Sequence, residues 1–432
     1  MAGLAAILLP SPLPAQITFQ RTYGGAGDDE APSVRQTADG GYIVAGFTDS
    51  YGAGSNDVYL VKTDAAGYAA WTKTYGGSDY DVGTSVAQTA DSGYLVTGYS
   101  SSLGAGNYDE YVIRTNARGD TLWTRALGGS GDDRGFSVQQ TADGGCVVAG
   151  LTMSFGAGEG DVYLTRFAQN GDTVWTRTYG GADDDEGFSV QQVADGGFIV
   201  AGCTRSFGAG SYDVYLIRTD ANGDSLWTRT YGTTHGDGGC AVQQTTDGGF
   251  IIAGWTLSLG AGDCDVYLVK TGADGGLLWA RTYGGVAADD GYWVQQTDDG
   301  GYVVSGYTRS YGAGSEDAYL LKTDSLGNVA VAEPKASPTR APALSLTCEP
   351  NPFRSSTVLH LTTGPLDPST TLLRIYDAQG RIVRSFSSLL SPPSSLTWDG
   401  TNELGHPLPS GTYFIRLDAA GLHATARLVL QR

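Results

Sequence analysis

Residues 187–231 read GFSVQQVADGGFIVAGCTRSFGAGSYDVYLIRTDANGDSLWTRTY. Four short runs rich in Val, Ile, Phe, Tyr and Trp stand in this stretch: Gly187–Gln192, Gly197–Thr204, Asp213–Thr219 and Ser225–Tyr231. Glycine- and aspartate-bearing turns separate them, which is the pattern of consecutive antiparallel strands. Asp195-Gly196-Gly197 closes the first hairpin, since glycine takes positive φ freely and aspartate bonds its own backbone. Asp220-Ala221-Asn222-Gly223 closes the last one, and Gly208-Ala209-Gly210 lies in the wider link between the second and third runs. Phe198–Gly202 is apolar or small at every position, whereas a strand with one wet face alternates. A strand of this kind is covered on both sides. No amphipathic helical stretch intervenes, which argues against alternating strands and helices.

The stretch belongs to a unit that recurs every 52 residues. Trp71, Trp123, Trp175, Trp227 and Trp279 keep that interval and form a repeated core column. So do Tyr23, Tyr75, Leu127, Tyr179, Tyr231 and Tyr283, which begin units one to six. A four-stranded unit repeated in this way predicts an all-β fold, a six-bladed β-propeller over residues 16–328. Phe19 falls in the tryptophan register. The expectation is therefore that Ile17–Thr22 pairs with Asp317–Asp324 and closes the ring, with Val329–Ala332 as the rival closing strand.

Composition narrows the function. The 432 residues include 65 Gly but also 25 Tyr, 12 Phe and 8 Trp, too many aromatics for a disordered glycine-rich chain. A net charge of −20 argues against nucleic acid or an anionic bilayer as partner. Cys146, Cys203 and Cys240 replace larger apolar residues of their columns. His235, His360, His406 and His423 show neither metal-ligand nor catalytic-triad spacing. There is no apolar run of spanning length, so no transmembrane segment is expected. Residues 1–15 read as a shortened secretory leader with processing near Ala15.

Three aspartate columns persist through all six units. One is Asp29, Asp81, Asp133, Asp185, Asp237 and Asp289; another is Asp57, Asp109, Asp161, Asp213, Asp265 and Asp317. The third, a turn column, is Asp39, Asp91, Asp143, Asp195, Asp247 and Asp299. A catalytic site needs asymmetry, so six equivalent carboxylates read as turn and cap residues that accept backbone N–H bonds, and no catalytic residue is assigned. Asp220, Asn222 and Asp224 have the start of a calcium-loop spacing without its closing Glu. No metal site or cofactor is assigned. Calcium is left open at the acidic rim, for instance around Asp183–Glu186, without a defined site. Among the variable link residues, Tyr80, Tyr108, Tyr212 and His235 are the candidate recognition positions, with ordinary exposed loop residues as the plainer reading.

The repeat gives way to a Pro/Ala/Ser-rich linker, residues 329–343, and then to a domain over residues 344–432. Its strand-like runs are Thr357–Thr362, Thr371–Tyr376, Arg381–Phe386, Ser395–Trp398, Gly411–Leu417 and Ala424–Leu430. A small β-sandwich accommodates such a set. Asn351-Pro-Phe353, Leu373–Asp377, Gly380–Val383, Trp398-Asp-Gly400, Gly405 and Ser410–Tyr413 resemble the carboxyl-terminal sorting domain of type IX-secreted bacterial proteins. They equally resemble the immunoglobulin-like domain of flagellar hook-capping proteins. The resemblance implies a non-catalytic module that an outer-membrane secretion machine reads, or that serves as an anchor or cap. The repeats resemble bacterial secreted propellers with Asp-Gly-Gly-Tyr and Asp-Val-Tyr-Leu signatures, which implies export and binding without naming a substrate.

The expected molecule is a secreted or cell-surface platform that binds protein or glycan at a propeller face, and more a binder than an enzyme. An extracellular polysaccharide hydrolase or lyase, and a structural surface-layer or fibre component, are the alternatives.

Overall fold

The computed structural model describes residues 18–329, 345–362, 372–386, 394–419 and 422–432. The expected leader, linker and rival closing strand Val329–Ala332 lie wholly or largely outside these residues. The chain separates into two compact units, Met1–Ala330 and Val331–Arg432.

Every repeat folds as an antiparallel meander in chain order, five of them four-stranded and the sixth three-stranded among the described residues. In unit four the first strand is Asp185–Gln192, starting two residues earlier than its apolar run because Asp185 and Glu186 still pair with Thr204 and Cys203. The others are Phe198–Thr204, Asp213–Thr219 and Ser225–Tyr231. A register shift between Gly187 and Ser189 bulges the first strand. Gly196 at φ 90° makes the first hairpin turn, and the Asp220 carboxylate holds the last one by accepting from the Asn222 and Asp224 amides.

The third strand, DVYLIRT, is buried at every residue, its arginine included. Arg218 is kept there by a charged hydrogen bond to Asp195 and another to the Thr219 carbonyl. Lys62–Asp39, at 2.9 Å, repeats the arrangement in unit one. Each unit packs its second strand against the first strand of the next, so the apolar second strand is covered from both sides. Trp71, Trp123, Trp175, Trp227 and Trp279 each reach an aromatic ring of the following unit, at centroid distances of 5.7–6.0 Å. Trp71 also lies over Gly119, a positive-φ turn glycine where an added Cβ would stand 2.8 Å from the indole. The succession is propeller-like, built of repeated small antiparallel sheets.

Among the described residues its two ends are not joined. Val34 is 53% exposed, whereas Val86, Val138, Val190, Val242 and Val294 in the same column are at most 8% exposed. Leu320 is 73% exposed, whereas Leu60, Val112, Leu164, Leu216 and Leu268 are fully buried. The expected pairing of Ile17–Thr22 with Asp317–Asp324 is absent among the described residues: residues 18–28 form no strand, and Asp317–Thr323 is an edge. Residues 19–23 are held on unit one instead. Phe19 meets Tyr42 edge-on at 5.6 Å, and Arg21 stacks over Tyr68.

The carboxyl unit has two antiparallel sheets. One comprises Ser345–Glu349, Thr357–Thr362 and Ser394–Trp398; the other comprises Ile382–Phe386, Leu372–Tyr376, Gly411–Ala419 and Leu422–Leu430. Leu346, Leu359, Ile375, Trp398, Ile415 and Leu428 are among the residues of a single buried core. Ser345–Glu349 was hidden in the sequence because its Ser-Leu-Thr-Cys-Glu pattern is short and follows a Pro-rich stretch. Asn351 ties the chain to the last strand twice, donating to the Arg427 carbonyl at 2.7 Å and accepting from the Val429 amide at 2.9 Å. Phe353, Trp398 and Tyr413 pack ring to ring at 5.4–5.5 Å. Three separate motifs of the sequence thus meet in one core.

Candidate functional site

The aspartate columns converge at the junctions between units. Asp237 accepts from the Thr233 amide at 2.8 Å and the Ser258 hydroxyl at 2.9 Å. Asp29, Asp81, Asp133, Asp185 and Asp289 repeat both bonds with Gly25, Gly77, Gly129, Gly181 and Gly285 and the matching serines. Asp213 accepts from the amides of Ala209 and Gly210 at 2.9 and 3.0 Å, and Asp57, Asp109, Asp161, Asp265 and Asp317 do the same in their own links. The two carboxylates flank one glycine: a Cβ on Gly232 would stand 2.2 Å from an oxygen of Asp213 and 2.6 Å from one of Asp237. Burial, with Asp237 nearby, raises the Asp213 pKa, and burial with Asp185 raises that of Asp161. One oxygen of each carboxylate faces backbone amides or hydroxyls, whereas the other oxygen of Asp81, Asp109, Asp185, Asp237 and Asp289 is buried without a hydrogen-bond partner. Among the described residues no group of three His, Cys, Asp or Glu is placed to hold a metal ion. At Asp183–Glu186 the Asp184 carboxylate is paired with Arg205 at 3.1 Å.

Tyr80, Tyr108 and Tyr212 lie on the rim where the strands of adjacent units meet. Each sits at a parallel bridge across a junction: Asn56 with Tyr80, Tyr108 with Asp132, Tyr212 with Gly236. His235 neighbours the last of these, its amide bonded to the Ser258 hydroxyl at 3.0 Å. The four positions are spread over three junctions, Tyr212 and His235 sharing one, and do not form one site.

What the sequence reading missed is the arginine that accompanies two of these tyrosines. Arg134 of unit three stacks over Tyr99 and Tyr108 of unit two at 5.1 and 4.9 Å, and the two rings meet edge-on at 5.2 Å. Asp132 orients the guanidinium at 2.9 Å. Arg205 stacks over Tyr212 at 5.4 Å in the same fashion. The signal was available, since Arg134 stands where other units carry Glu30, Val82, Glu186, Gly238 and Asp290. A cation over aromatic faces, anchored by a carboxylate, offers stacking surface and donors to an uncharged polar ligand. Arg134 Nε is buried and makes no hydrogen bond to a protein partner.

A second departure from the repeat is Glu110, which occupies the valine position of the third strand. It is wholly buried, accepts from the Thr165 hydroxyl at 2.6 Å, and burial pushes its pKa up to about 8. An open groove lined by Leu127, Phe155, Tyr163 and Arg177 has no carboxylate, histidine or cysteine in its lining.

Comparison with known proteins adds the following. The FlgD Ig-like domain family matches residues 358–421, which makes the carboxyl module Ig-like. The regulatory protein FlaEY of Caulobacter vibrioides is 29% identical over 198 residues, covering 39% of this chain and 20% of that protein. The chain thus spans about a fifth of that curated relative. PorZ of Porphyromonas gingivalis, a bacterial surface component of the type-IX secretion system, aligns over 95% of this chain and 53% of its own at 12% identity and a TM-score of 0.36. Latent PorU of the same organism aligns over 87% and 31% at 10% identity and a TM-score of 0.17.

Proposed function

We propose that the chain is an exported bacterial binding platform: six propeller-type blades display a recognition rim to protein or glycan, and the Ig-like module serves secretion or surface attachment. The observation that carries the binding half is the Arg134 guanidinium held by Asp132 over Tyr99 and Tyr108 on a rim otherwise built of repeated structure. The near-identical links of the six units support a binder over a hydrolase, because one oxygen of the Asp213-type carboxylate is engaged by backbone amides in every unit. The Ig-like match, together with the motifs that resemble sorting domains, supports an outer-membrane secretion machine as the partner of the carboxyl module and a location at or beyond the outer cell surface.

The test is a glycan array and a set of immobilised surface proteins probed with the full chain and with Arg134→Ala and Tyr108→Ala. Binding that falls roughly tenfold or more in both variants, with unchanged melting, is the expected outcome. Binding that is unaltered by both, or release of product from a polysaccharide, overturns the reading.

A further inference from the structure

The five internal junctions share a glutamine contact, and four of them a serine contact as well. The hydroxyls of Ser33, Ser85, Ser137 and Ser189 accept from the amides of Val86, Val138, Val190 and Val242 in the next unit, at 3.1–3.4 Å. The Gln88 side chain accepts from the Ala38 amide of the unit before it, and the same bond recurs down to Thr246 and Gln296. The contacts fix a common step from unit to unit. Five such steps leave Val34 and Leu320 bare at the two ends. Repeating a heterologous interface either closes a ring or continues as an open assembly, according to the step.

The two bare faces are fitted to each other. Gly83, Gly187, Gly239 and Gly291 carry no Cβ because one would stand 2.8–3.0 Å from Val58, Val162, Val214 and Val266 of the preceding unit. Unit one has Ala31 in the glycine column, and unit six has Ala318 in the valine column. The methyl group added on one end face is offset by the methyls removed on the other. Residues 19–23 complete the match, since they lie on unit one in the place that the fourth strand of a preceding unit takes on each later one. Unit six, among the described residues, presents three strands and a free edge at Asp317–Thr323.

We infer that a second copy of this chain covers these faces: unit six of one copy packs on unit one of the next, and residues 19–23 of the latter extend the open sheet of the former. A further copy continues the internal step and leaves every junction within one copy as it stands. The inference is independent of the glycan or protein bound at the rim, and it gives the fibre alternative a physical basis.

The experiment mixes two single-cysteine full-length chains, Ala31→Cys and Ala318→Cys, under mild oxidation, alongside a chain carrying both. The expected result is a disulfide-linked pair from the mixture, a ladder from the double variant, and a mass of the parent chain that grows with concentration. Leu320→Asp, on a face exposed within one copy, is expected to weaken association roughly tenfold or more without changing the melting of a dilute sample. A cross-link confined to single chains of the double variant shows closure within one molecule and overturns the inference. A monomer at all concentrations with no cross-link overturns it as well.

Discussion

The Tyr23 hydroxyl donates to the Gly67 carbonyl at 2.6 Å, across 44 residues of chain. Tyr75 and Gly119, Tyr231 and Gly275, and Tyr283 and Gly327 make the same bond at 2.5–2.6 Å, each from the end of a fourth strand to the last turn of the following unit. Residues 19–23 therefore occupy the place of a fourth strand on unit one, although they form no strand among the described residues.

Phe19→Ala removes the ring that covers Gly67 and Tyr42. Because Phe19 is 40% exposed, the expected loss is about 1 kcal/mol, with Tyr23→Phe costing about as much through the lost hydrogen bond. Chemical denaturation of the two variants checks this. Unchanged midpoints in both show that the segment is not held.

Asp213→Ala leaves the Ala209 and Gly210 amides without their acceptor in a buried link. The expected cost is roughly 0.5–2 kcal/mol, read as a lower melting midpoint with rim binding retained. Gly232→Ala is expected to cost more, because its methyl group would collide with both Asp213 and Asp237. Should Gly232→Ala melt like the parent, the tight carboxylate junction is refuted.

Glu110 gives a pH dependence with a definite sign. In the folded chain its carboxyl holds its proton up to about pH 8, whereas in the unfolded chain it ionises above its ordinary value of 4.5. Between those limits the unfolded state binds fewer protons, so stability falls as pH rises from 4.5 to 8 and levels off above. Glu110→Gln is expected to abolish this contribution and to raise stability at pH 8 by roughly 2–4 kcal/mol. Melting of both chains across this range decides it, and parallel curves refute the assignment.

The carboxyl module has its own core around Trp398, fully buried against Phe353 and Tyr413. A fragment of residues 344–432 is expected to unfold cooperatively, and Trp398→Ala to cost roughly 3–5 kcal/mol, enough to unfold so small a domain. In a host competent for type IX secretion, a chain ending near Ala341 is expected to stay in the periplasm while the full chain reaches the surface. Equal localisation of the two refutes the sorting role.

Much of the architecture was legible because its causes are local. The strand Asp213–Thr219 and its hairpin partner Ser225–Tyr231 follow from β-branched and aromatic runs bounded by turn residues, and both ends agree with the structure. The 52-residue interval set the number and sequence register of the units, since one step of the repeat places every column on the same strand face. The Asp213 column at the start of each third strand was readable for the same reason.

Tertiary structure alone decided how the ends behave and what meets at the rim. Phe19 has the register of a closing strand, but register in sequence does not specify which sheet edge the segment finds; that depends on the step accumulated over five junctions. Arg134 and Tyr108 belong to different units, 26 residues apart, and only packing between sheets lays the guanidinium over the ring. Glu110 reads as a solvent-compatible residue in the sequence, and only burial by unit three turns it into a carboxyl that keeps its proton near neutral pH. Periodicity records which residues are equivalent, whereas the geometry between units decides which of them touch.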